Sequence, residues 1–383
     1  MDNSTVPLGV YVHWPYCARI CPYCDFNVYK NKGVDTSYWG SALKAELRYW
    51  RNQTGLRPLT SLYFGGGTPS LAPPQLLSDV INTCVKLWGL ADDCEITIEI
   101  NPDDSCSDVI SDFSDMGINR ASVGVQSFDE AELAFLGRNH TAAQANAALE
   151  TVAKKFRSFS FDLIYGLPSQ TSSDWKGSLS HALSYAPPHL SLYQLTIEPD
   201  TAFDRAVARG DWSPPSEDVN ADMFEITNEL PAAAGMIAYE ISNHARPGHQ
   251  SKHNSLYWRQ YDYIGIGPGA HGRLTTGQER RATETHLSPE AYLKAVDKKG
   301  VGTNCDAILA TEEQLTERLT MGLRLIDGVE LYVDDPFYLD AGRVDRLQTL
   351  IRDGFLTHHC GTLRATYDGR RILNAVTKYL LLG

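Results

Sequence analysis

No run of apolar residues in this 383-residue chain approaches the roughly 18 that a bilayer-spanning helix requires. The opening stretch, MDNSTVPLGVYVHW, lacks the basic segment of a secretion signal and the arginines of a transit peptide. A mature cytoplasmic protein is the expectation, with a processed organellar chain as the alternative. Positive charge is also scarce. Lys and Arg total 34 against 47 Asp and Glu, a formal net charge of −13, and no basic stripe interrupts that balance. Broad binding to nucleic acid or to an anionic membrane is not expected, because a face that holds phosphates needs clustered cations. Of the eight cysteines, Cys84, Cys94, Cys106, Cys305 and Cys360 are scattered singly, which excludes a disulfide framework. No C-x-x-C-H haem-attachment sequence occurs.

What is present is an ordinary globular composition, 43% hydrophobic and 21% charged. Short β-branched and aromatic runs recur at 9–14, 61–64, 95–100, 119–125, 158–165 and 189–195. Between them, the segments 35–50, 73–88, 128–136, 141–155 and 172–185 carry apolar residues at helical spacing. Six alternations of strand and helix predict an α/β fold with a parallel sheet covered by helices. Unusual residues fall at the strand ends, which open on one rim in a barrel, so a partial (β/α)6 barrel is favoured over an open sheet. We expect this barrel over residues 1–240, an α+β extension over 241–304, and a small winged-helix-like domain over 305–383. A helix is expected at 216–230, a strand at AYEISN (238–243) and a polar loop at 275–290. In the last unit, helices at 311–325, 341–353 and 369–382 surround a β-ribbon. It has no basic recognition helix and is not read as a DNA binder.

The chemistry concentrates in YCARICPYCDFN (16–27), where Cys17, Cys21 and Cys24 are spaced C-x3-C-x2-C. As a zinc half-site this lacks its second pair, so Asp25, His13 or a distant cysteine would have to complete it. As an iron–sulfur site, three thiolates in place of the usual four leave one iron with an open position. FGGGTPS (64–70) allows close backbone approach to a ligand, or is a tight βα turn without one. Glu99 in IEINP and Asp162 in FDLIYGLP place carboxylates on apolar strands, which need partners such as an ammonium or ribose hydroxyls. Gln126 in GVQS offers a donor and an acceptor, and Arg138 in LGRNH can fork onto a carboxylate. Taken singly, each also suits a salt bridge or a cap.

The cysteine loop after the first strand, with Tyr23 ahead of the third cysteine, resembles that of the radical S-adenosylmethionine (radical SAM) enzymes. The resemblance implies a [4Fe–4S] cluster on Cys17, Cys21 and Cys24, its open iron chelated by the amino and carboxylate groups of S-adenosyl-L-methionine (SAM). The reduced cluster then breaks the C–S bond of SAM to give a 5′-deoxyadenosyl radical. Also implied are SAM contacts from Tyr11, Tyr23, Gly66, Gly67, Thr68, Glu99, Gln126, Arg138 and Asp162. HLSLYQLTIEP, YEISN, HNSLYW and YIGIGPGAHG extend the resemblance to the HemN/HemW group over nearly the whole chain. HemN, the oxygen-independent coproporphyrinogen III dehydrogenase, carries a further cysteine as C-x-C and a sizeable preceding segment. Here that position is Phe26, and sixteen residues precede Cys17. Both departures point to the haem chaperone subgroup, HemW. Haem as cargo, haem-accepting proteins such as respiratory haem enzymes, and optionally a homodimer are the implied partners. His253 of HNSLYW (253–258) is the implied haem ligand, with Tyr257 and Trp258 on the porphyrin face. The other reading of His253 is a satisfied histidine beside core aromatics; His271 is the next candidate. The coproporphyrinogen dehydrogenase reaction is not expected. It stays as the alternative function, together with a HemN-like methyltransferase, because nothing in the sequence disables the radical machinery.

Overall fold

The computed structural model describes residues 6–30, 33–104, 107–277 and 279–382; Cys106 lies outside them. Six strands, β1 (Leu8–Trp14), β2 (Leu59–Gly66), β3 (Leu90–Ile100), β4 (Arg120–Gln126), β5 (Ser158–Tyr165) and β6 (His189–Gln194), lie side by side in chain order. Each is parallel to the next. Their residues are buried on both faces, as parallel strands covered by helices must be. The long crossovers hold α1 (Thr36–Thr54), α2 (Pro74–Trp88), α3 (Ser107–Asp115), α4 (Glu130–Phe135), α5 (Ala142–Lys155) and α6 (Ser172–Ser184). α5 and α6 start on capping boxes, Thr141 with Gln144 and Thr171 with Asp174, which satisfy the free N–H groups of the first turn. This is the expected partial (β/α)6 barrel. Its register sets Glu99 beside Ser122, Ser122 beside Ser160, and Asp162 beside Ser191, so a polar row crosses three strand boundaries of an otherwise apolar sheet.

The chain then extends the same sheet at both edges. α7 (Ala202–Arg209) and α8 (Glu217–Ala233) precede a short antiparallel pair, β7 (Ile237–Ala238) and β8 (Asn243–Ala245), of which β8 pairs with β6. AYEISN is therefore not one strand. The buried Glu240 carboxylate accepts from Ser242 N and Asn243 Nδ2, and these bonds turn the chain between two shorter strands. On the other edge, after α9 (Lys252–Trp258), β9 (Asp262–Ile266) pairs in parallel with β1. β10 (His271–Thr276), β11 (Glu279–Thr285) and β12 (Thr303–Ile308) follow in antiparallel order, and α10 (Pro289–Lys299) lies between the last two. The polar loop expected at 275–290 contains strand β11 instead. Its inward positions are Arg280, Thr283 and Thr285, so its burial carries no apolar alternation to read.

The last unit has its own core, built on Leu315, Leu319, Phe337, Leu347, Leu363 and Leu380. α11 (Thr311–Gly322) and α12 (Ala341–Arg352) pack with a three-stranded sheet of Val329–Glu330, Thr362–Ala365 and Leu356–His359. This is the expected winged-helix-like arrangement. The final helix is interrupted at Ile372 into α13 (Tyr367–Arg371) and α14 (Leu373–Leu382). Among the described residues no helix is long and apolar enough to cross a membrane.

Candidate functional site

Beyond the C-terminal ends of the parallel strands lies a cavity of about 390 Å³. The loop after β1 forms one wall. Tyr16–Cys17 pairs in parallel with Tyr29–Lys30, closing the cysteine loop on itself. The turn after β2 is pinned to the base of that loop, Gly67 N donating to Trp14 O at 2.7 Å and Thr68 N to Tyr16 O at 2.9 Å. Cys17, Cys21, Cys24, Tyr23, Gly66, Gly67, Thr68, Glu99, Gln126, Arg138 and Asp162 all line this cavity, together with Thr196 and Glu198 beyond β6. All six strand ends thus meet at one opening.

Burial pushes the Cys17 thiol up and the Cys24 thiol up to about 11, so both hold their protons until a metal displaces them. Among the described residues no three His, Cys, Asp or Glu side chains converge as the ligands of a single ion do. Cys17, Cys21 and Cys24 nonetheless line one cavity, and three thiolates there match a cluster of several irons, which can give each thiolate its own. Gly67 provides the cradle: a Cβ there would stand 3.0 Å from Cys17 Sγ and 2.8 Å from Tyr16 O.

Two carboxylates face the same space. Glu99 accepts from the Tyr63 hydroxyl at 2.9 Å and from Gly66 N at 3.1 Å. Burial pushes its pKa up to about 7, and the nearby Asp162 adds to the rise. Asp162 is itself pushed up to about 6 by burial. A pair of acids so placed favours a cationic ligand, because an uncompensated buried charge is costly. Arg138 supplies the opposite sign. Its Nη2 donates to Asn101 Oδ1 at 2.6 Å and to Gly124 O at 3.0 Å, its Nη1 reaches Cys21 Sγ at 3.5 Å, and its buried Nε has no partner among the described residues. Gln126 sits where the β4–β5 register breaks, at φ +68°, a left-handed conformation rare for a residue with a side chain. Strain of this kind gathers at ligand sites. Zwitterion, cation and thiolate chemistry are all provided for, so the residues fit a [4Fe–4S] cluster with a bound SAM.

Asn101 was missed by sequence reasoning. It donates to Thr68 Oγ1 at 3.1 Å while accepting from Arg138, and so ties two ligand-facing segments together. Its signal was adjacency to Glu99 in IEINP. Tyr63 was missed as well, having no mark beyond its place in an apolar strand.

Tyr11 and His253 stand apart from this cavity. Tyr11 lines a neighbouring one of about 550 Å³, which shares Asp25, Phe26, Gly66 and Glu99 with the first. Its hydroxyl lies 3.1 Å from His13 Nδ1. His253 is 1% exposed and lines neither cavity. Its Nδ1 is 2.8 Å from Ser61 Oγ, its Nε2 is 2.6 Å from the Tyr257 hydroxyl, and its ring stacks 4.8 Å from that of Tyr63. Burial pushes its pKa down to about 3, so the imidazole is neutral. The expectation of an accessible iron ligand at His253 meets a histidine whose two nitrogens are already engaged. Iron could reach Nε2 only after Tyr257 left it. The reason is helix α9, drawn inward by the buried Glu95 carboxylate, which accepts from Lys252 N and His253 N at 3.2 Å each. Tyr257 and Trp258, from the same helix, do face the second cavity.

Comparison with known proteins agrees with this geometry. The sequence profile described as the radical SAM superfamily matches residues 11–182. The chain is 35% identical to "Radical S-adenosyl methionine domain-containing protein 1, mitochondrial" of Danio rerio, over 100% of the chain and 88% of that protein. It is 36% identical to "Heme chaperone HemW" of Escherichia coli (strain K12), over 98% of each. Among solved structures, the coproporphyrinogen III oxidase HemN from Escherichia coli superposes with a TM-score of 0.81, over 98% of this chain and 90% of that one. At 22% identity that likeness speaks for the fold alone.

Proposed function

Because this chain belongs to the radical SAM superfamily, and within it to the HemN/HemW family, we propose that it is a haem chaperone of a reducing compartment such as the cytoplasm, binding haem and passing it to acceptor proteins. The observation that carries this reading is Phe26. It is 61% exposed and lines both cavities, so an aromatic ring occupies the place beside the cysteine loop where the decarboxylating branch has a further thiol.

In this reading Cys17, Cys21 and Cys24 hold a [4Fe–4S] cluster and SAM exchanges at its open iron. The cluster with SAM supplies reductive C–S bond cleavage when both are bound. The protein's own residues do the rest. The glycine turn at Gly66–Thr68 admits the methionine end of SAM to the backbone. Arg138 takes the carboxylate, with its guanidinium held from behind by Asn101 and Gly124. Glu99 and Asp162 take ammonium or ribose hydroxyls, Gln126 adds a donor and an acceptor, and Tyr23 closes the pocket over the cysteines. Tyr11 acts from the far side, through the wall shared with the second cavity.

The raised Glu99 pKa makes SAM binding pH-dependent. The carboxyl is protonated below about 7 in the free protein, and only its ionised form attracts a cationic ligand. Affinity therefore rises with pH up to about 7 and levels off above it; between about 6 and 7 the slope is that of Glu99, at most roughly tenfold per pH unit, and below about 6 Asp162 adds its own. Calorimetric titration of SAM across this range measures the slope, and Glu99→Gln flattens it between about 6 and 7. A slope unchanged in Glu99→Gln would remove Glu99 from the contact.

The function itself is tested anaerobically on the cluster-reconstituted chain. One sample receives ferric haem followed by a haem-free b-type cytochrome; another receives coproporphyrinogen III, SAM and a reductant. We expect a persistent haem band that moves to the cytochrome, and no decarboxylated product. Turnover of coproporphyrinogen III, or failure to take up haem, overturns the reading.

A further inference from the structure

The cysteine loop ends on a turn from the far side of the sequence. Asn27, directly after Phe26, donates from Nδ2 to Pro268 O at 3.0 Å, in the turn between β9 and β10. The same nitrogen donates to Leu287 O at 2.9 Å, between β11 and α10. Its Oδ1 accepts from the Tyr29 hydroxyl at 3.3 Å. Its backbone O lies 2.9 Å from His13 Nε2, which carries the ring proton toward it while Nδ1 faces the Tyr11 hydroxyl. The side chain thus uses both its donor and its acceptor ends. We infer that Asn27 is a positioning residue for the cluster, fastening the exit of the cysteine loop, and with it Cys24, to the Pro268 and Leu287 carbonyls. This assignment rests on the reading of Cys17, Cys21 and Cys24 as cluster ligands.

The receiving turn is shaped for this contact. Gly269 has φ +80°, and a Cβ on it would stand 2.5 Å from Asn27 Nδ2. Gly267 has φ +91°, and its Cβ would stand 2.3 Å from His13 O, on the strand that leads into the loop. Left-handed backbone and so close an approach together call for glycine at both positions. The turn is itself held in place. Gly267 N lies 3.3 Å from Glu46 Oε2 and 3.2 Å from the Tyr292 hydroxyl, and Gly269 N donates to His286 O at 3.0 Å. The YIGIGPGAHG segment therefore acts through its glycines, while its His271 opens β10 with a side chain 56% exposed. At the entry to the loop, backbone bonds from Gly67 and Thr68 fix Trp14 and Tyr16. At its exit Tyr29 N donates to Pro15 O at 2.7 Å, and Asn27 ties the loop to the turn. Ligands on a loop hold a metal centre firmly only when groups behind them fix their geometry. Asn27 supplies that support three residues after Cys24.

The test compares Asn27→Asp and Asn27→Ala with the wild-type full chain. Aspartate keeps the shape of asparagine but sets a carboxylate oxygen against two carbonyls, and alanine removes the contact. Both variants retain the three cysteines and assemble the chromophore on anaerobic reconstitution. An iron chelator then strips it roughly tenfold faster than from the wild type, the effect of losing buried hydrogen bonds behind the ligands. The electron paramagnetic resonance spectrum of the reduced cluster, and its change on adding SAM, both shift. In the apoprotein, trypsin cleaves faster after Arg19, which is exposed in the loop. Cys84→Ala is the comparison for stability lost in the core of α2, and it keeps the wild-type chelation rate, spectrum and cleavage. If Asn27→Asp does not fold, Asn27→Ala decides by the same readings. The assignment is overturned if the folded Asn27 variants keep the wild-type chelation rate and spectrum, or if Cys84→Ala changes them as much. In either case the wild-type chromophore stands and the cluster reading with it. No chromophore in the wild type brings down both.

Discussion

Cys21→Ala is expected to give a folded protein that no longer assembles an iron–sulfur chromophore. Cys21 is half-buried, on a loop rather than in the core, where its thiol meets Arg138 Nη1 at 3.5 Å and the Tyr23 side chain. Removing the thiol therefore costs little packing. It leaves two thiolates for a cluster that normally takes four ligands and, in the proposed site, has three. After anaerobic reconstitution, iron and sulfide content and visible absorbance should fall to background, while the thermal transition stays close to that of the wild-type apoprotein. Cys84→Ala is the control. Cys84 lies on the buried face of α2, so this variant keeps the chromophore and loses stability through the cavity left behind. Full cluster content in Cys21→Ala would remove Cys21 from the ligand set.

Gly67→Ala is expected to cost both stability and SAM affinity, although it adds a single methyl. The new Cβ would sit 2.8 Å from Tyr16 O, 2.9 Å from Trp14 O and 3.0 Å from Cys17 Sγ. Two of these neighbours are backbone, so no side-chain rotation relieves the overlap. The turn has to move off the base of the cysteine loop, straining the bonds from Gly67 N to Trp14 O and from Thr68 N to Tyr16 O. Overpacking of this kind costs about 1–3 kcal/mol. SAM affinity should fall by roughly tenfold or more, since about 1.4 kcal/mol of lost binding free energy suffices for that. Thermal unfolding and equilibrium dialysis measure the two effects. Unchanged SAM affinity would mean that the turn is only a connection between β2 and α2.

Much of this site was legible because its parts are close in the chain. Cys17, Cys21 and Cys24 lie within eight residues, and Gly66, Gly67 and Thr68 follow one strand directly, so short covalent reach holds each group together whatever the fold. The barrel was legible too, since six apolar runs alternate with amphipathic segments. Strand β11 was not, because its inward positions are Arg280, Thr283 and Thr285, satisfied by hydrogen bonds and ion pairs that hydropathy does not register.

His253 shows the same limit from the side of function. Its motif was plain, yet whether the imidazole faces a ligand depends on Ser61, 192 residues away, and on Glu95, 158 residues away, which draw α9 inward. Asn101 likewise gains its role only where Thr68 and Arg138 come together. The sequence by itself determined the chemical groups, their local spacing and the alternation of six strands with helices, because those follow from chain connectivity and hydrophobic period; the side-by-side order of the strands came from the fold. Which groups share a cavity, which nitrogen is already occupied and which histidine stands open were decided by the tertiary structure, because such contacts join strands and helices far apart in the chain and exist only once the sheet has packed.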